Sequence, residues 1–312
     1  MGLAVAIQMD PIDDIDIDGD STFVLALEAQ RRGHEIFHYL PRDLNFAGNR
    51  LWTRARPLSL RRKKGGHFTL GPFQRLDLTQ VDVVLMRQDP PFDMAYITAT
   101  HLLEQIHPRT LVVNDPFEVR NAPEKLFVSR FPEFMPPTLI STDGEEIAAF
   151  RAEHGDIIVK PLFAQGGAGV FHVGPEDENL NALLGMFAER SREPVMVQAY
   201  LPEVREGDKR VILIDGAAAG AVNRLAPPGE ARSNLHIGGK AQKSTLTAWD
   251  LEICAAIGPT LKERGLIFAG IDVIGEYLTE INVTSPTGLQ EINRFDSVCL
   301  EANLWDAIEA RL

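Results

Sequence analysis

The first third of this chain alternates short apolar runs with longer amphipathic ones, and that alternation leaves few folds open. Leu3 to Met9 reads as a buried strand. Thr22 to Arg32 reads as a helix, with Asp20 or Ser21 as its N-cap and Gly33 as its C-terminal stop. His34 to Leu40, Val81 to Met86 and Thr110 to Asn114 read as further strands, with a helix around Met94 to Ile106. Strands alternating with helices predict a parallel sheet covered on both faces. Ligands of such sheets bind beyond the carboxyl ends of the strands. Two polar loops fall at such ends, Asp10 to Asp20 and Arg87 to Asp93. The basic, glycine-containing stretch from about Arg54 to Phe73 reads as an exposed hairpin.

The pattern changes after Asn121-Ala122-Pro123. Pro123 suits the first position of a helix that Glu124 to Arg130 continues, and Pro132, Pro136 and Pro137 mark a connection. Then come strand, helix, strand, glycine loop, strand, helix and strand, an α+β unit with mostly antiparallel pairing. A domain boundary is expected near residue 122. The tail from Ser297 carries Leu300, Leu304, Ile308 and Leu312 at a spacing of four and reads as a packing helix.

Composition narrows the functions. The 312 residues suffice for two domains, and the formal charge of −13 disfavours nucleic acid and anionic membrane as partners. Cys254 and Cys299 form no zinc or redox spacing, which points to a reducing cytoplasm. The apolar start lacks a basic flank and reads as a strand, not a signal peptide; no run is long enough to span a membrane. Asp14 to Gly19 matches half of a calcium loop, but Leu25 stands where the bidentate glutamate belongs, so calcium is rejected there.

The segment most able to carry chemistry is Leu278 to Thr287, one turn after Ala269 to Gly275. Both pieces alternate as a half-buried hairpin does. Glu280 and Asn282 share a face, and ordinary register brings Asp272 to them. Two carboxylates and an amide oxygen suit Mg²⁺, which shares its shell with water and phosphate. The same alternation, taken alone, also describes a strand with its polar face in solvent. Ser285 and Thr287 leave hydroxyls next to this point. Lys160 ends an apolar strand just before Gly166-Gly167-Ala168-Gly169, a loop able to offer N–H groups to phosphate, or simply a turn. Val195 to Tyr200 is either a core strand or a strand edge that reads an adenine, with Gln198 near its end. Arg210 sits among apolar neighbours and needs an anion or a cleft. Arg224, Arg232, Lys240 and Lys243 follow, around a proline- and glycine-rich loop from Pro227 to Lys240 that has the makings of a lid.

Taken in order, these pieces resemble the ATP-grasp superfamily and, within it, the bacterial glutathione synthetases. The resemblance is carried by Met9-Asp10-Pro11-Ile12, Leu85-Met86-Arg87-Gln88-Asp89-Pro90-Pro91-Phe92-Asp93, Glu124-Lys125-Leu126-Phe127, Gly207-Asp208-Lys209-Arg210-Val211, Ile257-Gly258-Pro259-Thr260 and Thr279-Glu280-Ile281-Asn282-Val283-Thr284-Ser285-Pro286-Thr287. It implies an ATP-grasp fold behind an N-terminal parallel α/β domain at 1–122, with the ATP-grasp domain at 123–312 and a small lid subdomain at about 123–202. It implies a ligase that joins γ-glutamylcysteine to glycine with ATP, through an acyl phosphate. By motif match, Lys125, Lys160, Gly166 and Gly167 would hold ATP phosphates, and Gln198, Tyr200 and Leu201 would line the adenine pocket near Asp208. Asp272, Glu280 and Asn282 would bind Mg²⁺ or Mn²⁺. Arg210, Arg224 and Arg232 would face the dipeptide or its acyl phosphate, and Ser285 and Thr287 the acceptor. A cytoplasmic homotetramer is the family's pattern. The chain departs from that pattern at Phe163-Ala164-Gln165, Ala199, Lys240 and Gln290. The alternatives are a sister ligase with another acceptor or γ-glutamyl donor, and a non-catalytic nucleotide-binding paralogue.

Overall fold

The computed structural model describes residues 2–227 and 239–312. The N-terminal sheet contains β1 (Ala4–Gln8), β2 (Glu35–Tyr39), β3 (Leu44–Ala47), β4 (Arg50–Leu60), β5 (Phe68–Leu70), β6 (Gln74–Asp77), β7 (Val83–Met86) and β8 (Leu111–Val113). Its main path runs β3-β4-β2-β1-β7-β8, with β1 parallel to both β2 and β7, and β7 parallel to β8. The expected parallel core is therefore present. Helix α1 (Ser21–Arg31) starts where the Asp20 carboxylate accepts from the Phe23 amide, and α2 (Met94–Glu104) starts on the equivalent Asp93–Tyr96 bond. Short helices α3 (Pro116–Arg120) and α4 (Glu124–Phe127) follow.

The Arg54–Phe73 stretch forms the expected hairpin, with Leu58 and Leu60 of β4 opposite Leu70 and Phe68 of β5. It is not wholly exposed, because its first arm is part of β4, which also pairs antiparallel with β2, β3 and β6. Leu51, Thr53 and Ala55 are buried while the intervening Arg54 is exposed. The period-2 alternation, not the basic composition, decides the outcome.

A second sheet, ordered β11-β10-β12-β9, is wholly antiparallel: β9 (Thr138–Ser141), β10 (Ile157–Pro161), β11 (Phe171–Val173) and β12 (Val195–Ala199). Helices α5 (Gly144–His154) and α6 (Leu180–Arg190) belong to this unit, which has a small core of its own around Ile147, Val159 and Val197. Because β12 is an inner strand, the strand-edge reading of Val195–Tyr200 does not hold. Its Gln198 side chain donates to Thr138 Oγ1 at 3.0 Å.

The third sheet runs β15-β14-β13-β16-β17: β13 (Asp208–Ile214), β14 (Ala217–Leu225), β15 (Lys240–Lys243), β16 (Phe268–Ile274) and β17 (Tyr277–Asn282). It shares its hydrophobic clusters with the N-terminal sheet, Ala6 and Val84 grouping with Val211 and Ile281. Helix α7 (Ala248–Glu263) opens on a Thr247–Asp250 capping box. Helices α8 (Leu289–Asp296) and α9 (Leu300–Glu309) close the chain. In α9 the predicted stripe is buried at Leu300, Leu304 and Ile308, whereas Leu312 lies beyond the helix and is exposed. Trp305 is fully buried and donates to the Leu25 carbonyl of α1, fastening the C-terminus to the first unit.

Candidate active site

The β16–β17 hairpin forms in the expected register. Asp272 lies opposite Glu280, Gly270 lies opposite Asn282, and a bulge follows at Asp272/Val273. On the other side Asp272 lies opposite Arg210 of β13, and Asp208 lies opposite Arg224 of β14. Alternation along each strand thus puts Asp208, Arg210, Arg224, Asp272, Glu280 and Asn282 on one face of the sheet.

Asp272 is almost wholly buried and fully engaged. Arg210 donates from Nε to Oδ1 and from Nη2 to Oδ2, the latter at 2.8 Å. Arg224 Nη2 approaches Oδ1 at 3.0 Å, and Asn282 Nδ2 donates to Oδ2 at 3.3 Å. These donors occupy about all the positions that a carboxylate offers. Burial alone would push the Asp272 carboxyl up, but the Arg210 and Arg224 guanidiniums override it and hold it down at about 2. Burial likewise opposes the charge of Arg224, and Asp208, at 2.6 Å, together with Asp272 more than offsets it, so its affinity for the proton is raised.

Glu280 stands between two buried lysines. Lys125 Nζ is 3.6 Å from Glu280 Oε1, and Lys160 Nζ is 4.0 Å from it. Lys125 also bonds Glu124 Oε1 and the Ala164 carbonyl, each at 2.5 Å. Burial pulls the Lys125 pKa down, but Glu280 and Glu124 outweigh it and leave it raised. For Lys160 burial wins over Glu280, and the pKa is lowered. Glu124 is pushed up by its own burial and then by repulsion from Glu280.

One cleft gathers these groups. It is lined by Lys125, Lys160, Gly166, Gly167, Gln198, Tyr200, Leu201, Asp208, Asp272 and Glu280. Gly166 and Gly167 both adopt positive φ, 62° and 78°, a backbone that only glycine takes freely. Sequence reasoning gave no role to Glu124 and Thr279, which also line the cleft. Glu124 was within reach, since it adjoins Lys125; Thr279 donates to the Asp272 carbonyl at 3.1 Å, a contact set by the hairpin bulge.

Ser285 and Thr287 lie elsewhere. Ser285 Oγ donates to the Arg87 carbonyl at 3.4 Å. Thr287 lines a second cavity with Asp10, Asp14, Asp16, Asp20, Gln290 and Glu291. Arg210 links the two spaces, since its Nη1 donates to the Thr287 carbonyl at 3.4 Å while its other nitrogens hold Asp272. Arg232, and the lid expected at Pro227 to Lys240 apart from its ends, lie outside the described residues.

The site's chemistry is that of a polyanion cradle: buried ammonium groups, left-handed glycines, and carboxylates able to share a divalent cation with phosphate oxygens.

Comparison with known proteins identifies the family. Residues 3–120 match the prokaryotic glutathione synthetase N-terminal domain, and residues 124–297 match the prokaryotic glutathione synthetase ATP-grasp domain. The chain is 58% identical to the glutathione synthetase of Brucella melitensis biotype 1 over 100% of both chains. It is 57% identical to that of Rhodopseudomonas palustris, over 100% of this chain and 99% of the relative. A glutathione synthetase of Vibrio vulnificus is 42% identical over 100% and 99%. Among solved structures, the ATP-grasp ligase PsnB with a minimal precursor superposes with a TM-score of 0.65 at 19% identity over 100% of both chains. The D-cycloserine synthetase DcsG gives 0.69 at 15% identity, over 99% of this chain and 100% of that one, a likeness of fold. The chain belongs to the prokaryotic glutathione synthetase family.

Proposed function

We propose that this chain is an ATP-dependent ligase that joins γ-glutamylcysteine to glycine, giving glutathione, ADP and phosphate. The observation that carries the reading is the convergence of Lys125, Lys160, Gly166, Gly167 and Glu280 on one cleft. ATP phosphates lie against the two lysines and the glycine loop, and its base lies toward Gln198, Tyr200 and Leu201. A carboxylate oxygen of the dipeptide attacks the γ-phosphorus and ADP leaves. The glycine nitrogen then attacks the acyl carbon, expelling phosphate and losing its proton. Charge builds on the transferred phosphoryl oxygens, where ammonium and guanidinium groups stabilise it. Lys125, Lys160, Arg210, Arg224 and Arg232 supply those charges, and Ser285 and Thr287 hold the acceptor.

Mg²⁺ or Mn²⁺ fits the donor set at Glu280 and Asn282. Asn282 turns its Nδ2 toward Asp272, which leaves its oxygen for a cation. Asp272, opposite Glu280 in the hairpin, would be the third oxygen donor of that set. A cation held there would neutralise phosphate charge during transfer.

The division at residue 122, with residues 123–202 moving as a lid subdomain, belongs to the same proposal, as does a cytoplasmic homotetramer. No described helix is long and apolar enough to cross a membrane.

The test is ADP release and glutathione formation with γ-glutamylcysteine, ATP, magnesium and a panel of amines. Glycine-dependent ADP release with one tripeptide formed per ADP supports the reading. Turnover with another amine but not glycine would establish a sister ligase, and ATP binding without turnover a non-catalytic role.

A further inference from the structure

Two buried side chains at the carboxyl ends of neighbouring parallel strands hold the segment that follows the catalytic hairpin. Asn114 directly follows β8 and is 4% exposed. Its Nδ2 donates to the Phe268 carbonyl and to the Val283 carbonyl, both at 2.7 Å, and its Oδ1 accepts from the Phe268 amide at 2.8 Å. One amide thus bridges the start of β16 and the residue after Asn282, beyond the last strand pair at Gly270–Asn282. Arg87 directly follows β7 and is 5% exposed. Its Nη2 donates to the Pro286 carbonyl at 3.0 Å, its Nε donates to Thr22 Oγ1 at 3.1 Å, and its own carbonyl accepts from Ser285 Oγ. Its guanidinium also faces the Phe268 ring, 5.2 Å from the centroid.

These bonds have a shared target. Both side chains grip backbone between Val283 and Pro286, where the chain leaves Asn282 and turns toward Ser285 and Thr287. Hydrogen bonds to carbonyl groups of an irregular segment fix its path without depending on its side chains. Asn114 can make this bridge only as an amide, since one group must both donate and accept between two strands. Nothing in this contact set reaches Lys125, Lys160 or Tyr200.

We propose that Asn114 and Arg87 are positioning residues for the amine-accepting half of the reaction: they lock the Val283–Thr287 segment onto the rigid N-terminal sheet so that Ser285 and Thr287 meet the incoming amine in place. The inference rests on the acceptor assignment proposed above. It separates two duties within the molecule, since ATP binding depends on the cleft lysines while acceptor binding depends on the clamp. A displacement of about 1 Å in such a segment is enough to cost on the order of 100-fold in rate.

The experiment uses the full-length enzyme with Asn114→Ala, Arg87→Met and Arg87→Lys. Melting temperature and ATP dissociation constant are read first, then KM for each substrate. Asn114→Ala and Arg87→Met are expected to raise KM for glycine roughly 10-fold or more, with KM for ATP within about two-fold of wild type. Arg87→Lys, which retains a donor for the Pro286 carbonyl, is expected to recover part of that loss. Equal increases in all three KM values, or a fall in melting temperature with every KM unchanged, would overturn the positioning role. If Asn114→Ala does not fold, the two Arg87 variants decide by the same pattern. Failure of the parent reading looks different: wild-type enzyme would then show no glycine-dependent ADP release at all.

Discussion

Arg210 grips both carboxylate oxygens of Asp272 from the neighbouring strand, at the register position directly opposite it. Arg224 adds a second guanidinium to the same carboxylate. Among the described residues, the other carboxylate that meets either arginine on that face is Asp208, beside Arg224.

Removing the Asp272 anion strands both arginines in the interior. Asp272→Asn is expected to lose about 3 kcal/mol of stability along with its activity, the cost of breaking a buried pair from one side. The loss carries a pH signature. Asp272 has a folded pKa of about 2 against an ordinary 3.8. Its stabilising contribution is therefore complete above pH 3.8 and disappears as pH falls through 2, with a size on the order of 2 kcal/mol. Urea midpoints of wild type and variant should converge between pH 4 and 2. A constant gap across that range would show that the carboxylate is not held by its arginines.

Lys160 predicts a trade between stability and binding. Burial lowers its pKa, so the folded protein bears a cost for the charged form. That cost is present below the lowered pKa and is relieved as pH rises from there toward the ordinary 10.5. Lys160→Met should thus melt no lower than wild type at neutral pH, yet bind ATP roughly 10- to 100-fold more weakly. Unchanged ATP affinity in a titration of the folded variant would remove Lys160 from the phosphate site.

Glu280→Gln keeps the shape of the side chain and removes its charge. Both lysines stay, so ATP should still bind. On the proposed metal set the cation would lose a ligand, and kcat should fall about 100-fold or more. Adding magnesium should recover part of the loss if the defect is one of affinity. A wild-type kcat with a wild-type magnesium titration curve would exclude Glu280 from the metal set.

Much of this was legible in the chain because strand geometry is local. Period-2 alternation placed Asp272, Glu280 and Asn282 together from two short segments, and the Asp-capped helices α1 and α2 could be read to within about two residues. What was missed comes from long-range contacts. Asn114 and Phe268 are 154 positions apart, and Arg87 and Pro286 are 199 apart; neither pairing has a local signature. Arg210 was rightly singled out as needing an anion, but its partner turned out to be Asp272, a residue of the same motif set, which only register could reveal. The hairpin expected at Arg54–Phe73 is present as β4 and β5, but its basic composition hides the burial of Leu58 and Leu60. Thr287 was expected beside the metal set, and it lines the second cavity because the chain turns away after Val283.

The glycines of two helices offer a test of the packing that supports the site. Gly258 of α7 lies against Gly216, in the turn between β13 and β14, so closely that a Cβ added at either one would collide with the carbonyl of the other. Backbone on backbone has no side chain to rotate away, and α7 would have to lift off the sheet that carries Arg210 and Arg224. Gly258→Ala should therefore cost about 1–3 kcal/mol despite the better helix propensity of alanine. Gly185 lies in the interior of α6, where an added Cβ meets no atom within 4 Å. There only propensity acts, and Gly185→Ala should stabilise its helix by up to about 1 kcal/mol. Thermal melts of the two variants should move in opposite directions. If Gly258→Ala melts at or above wild type, the close approach of α7 to the turn between β13 and β14 is wrong.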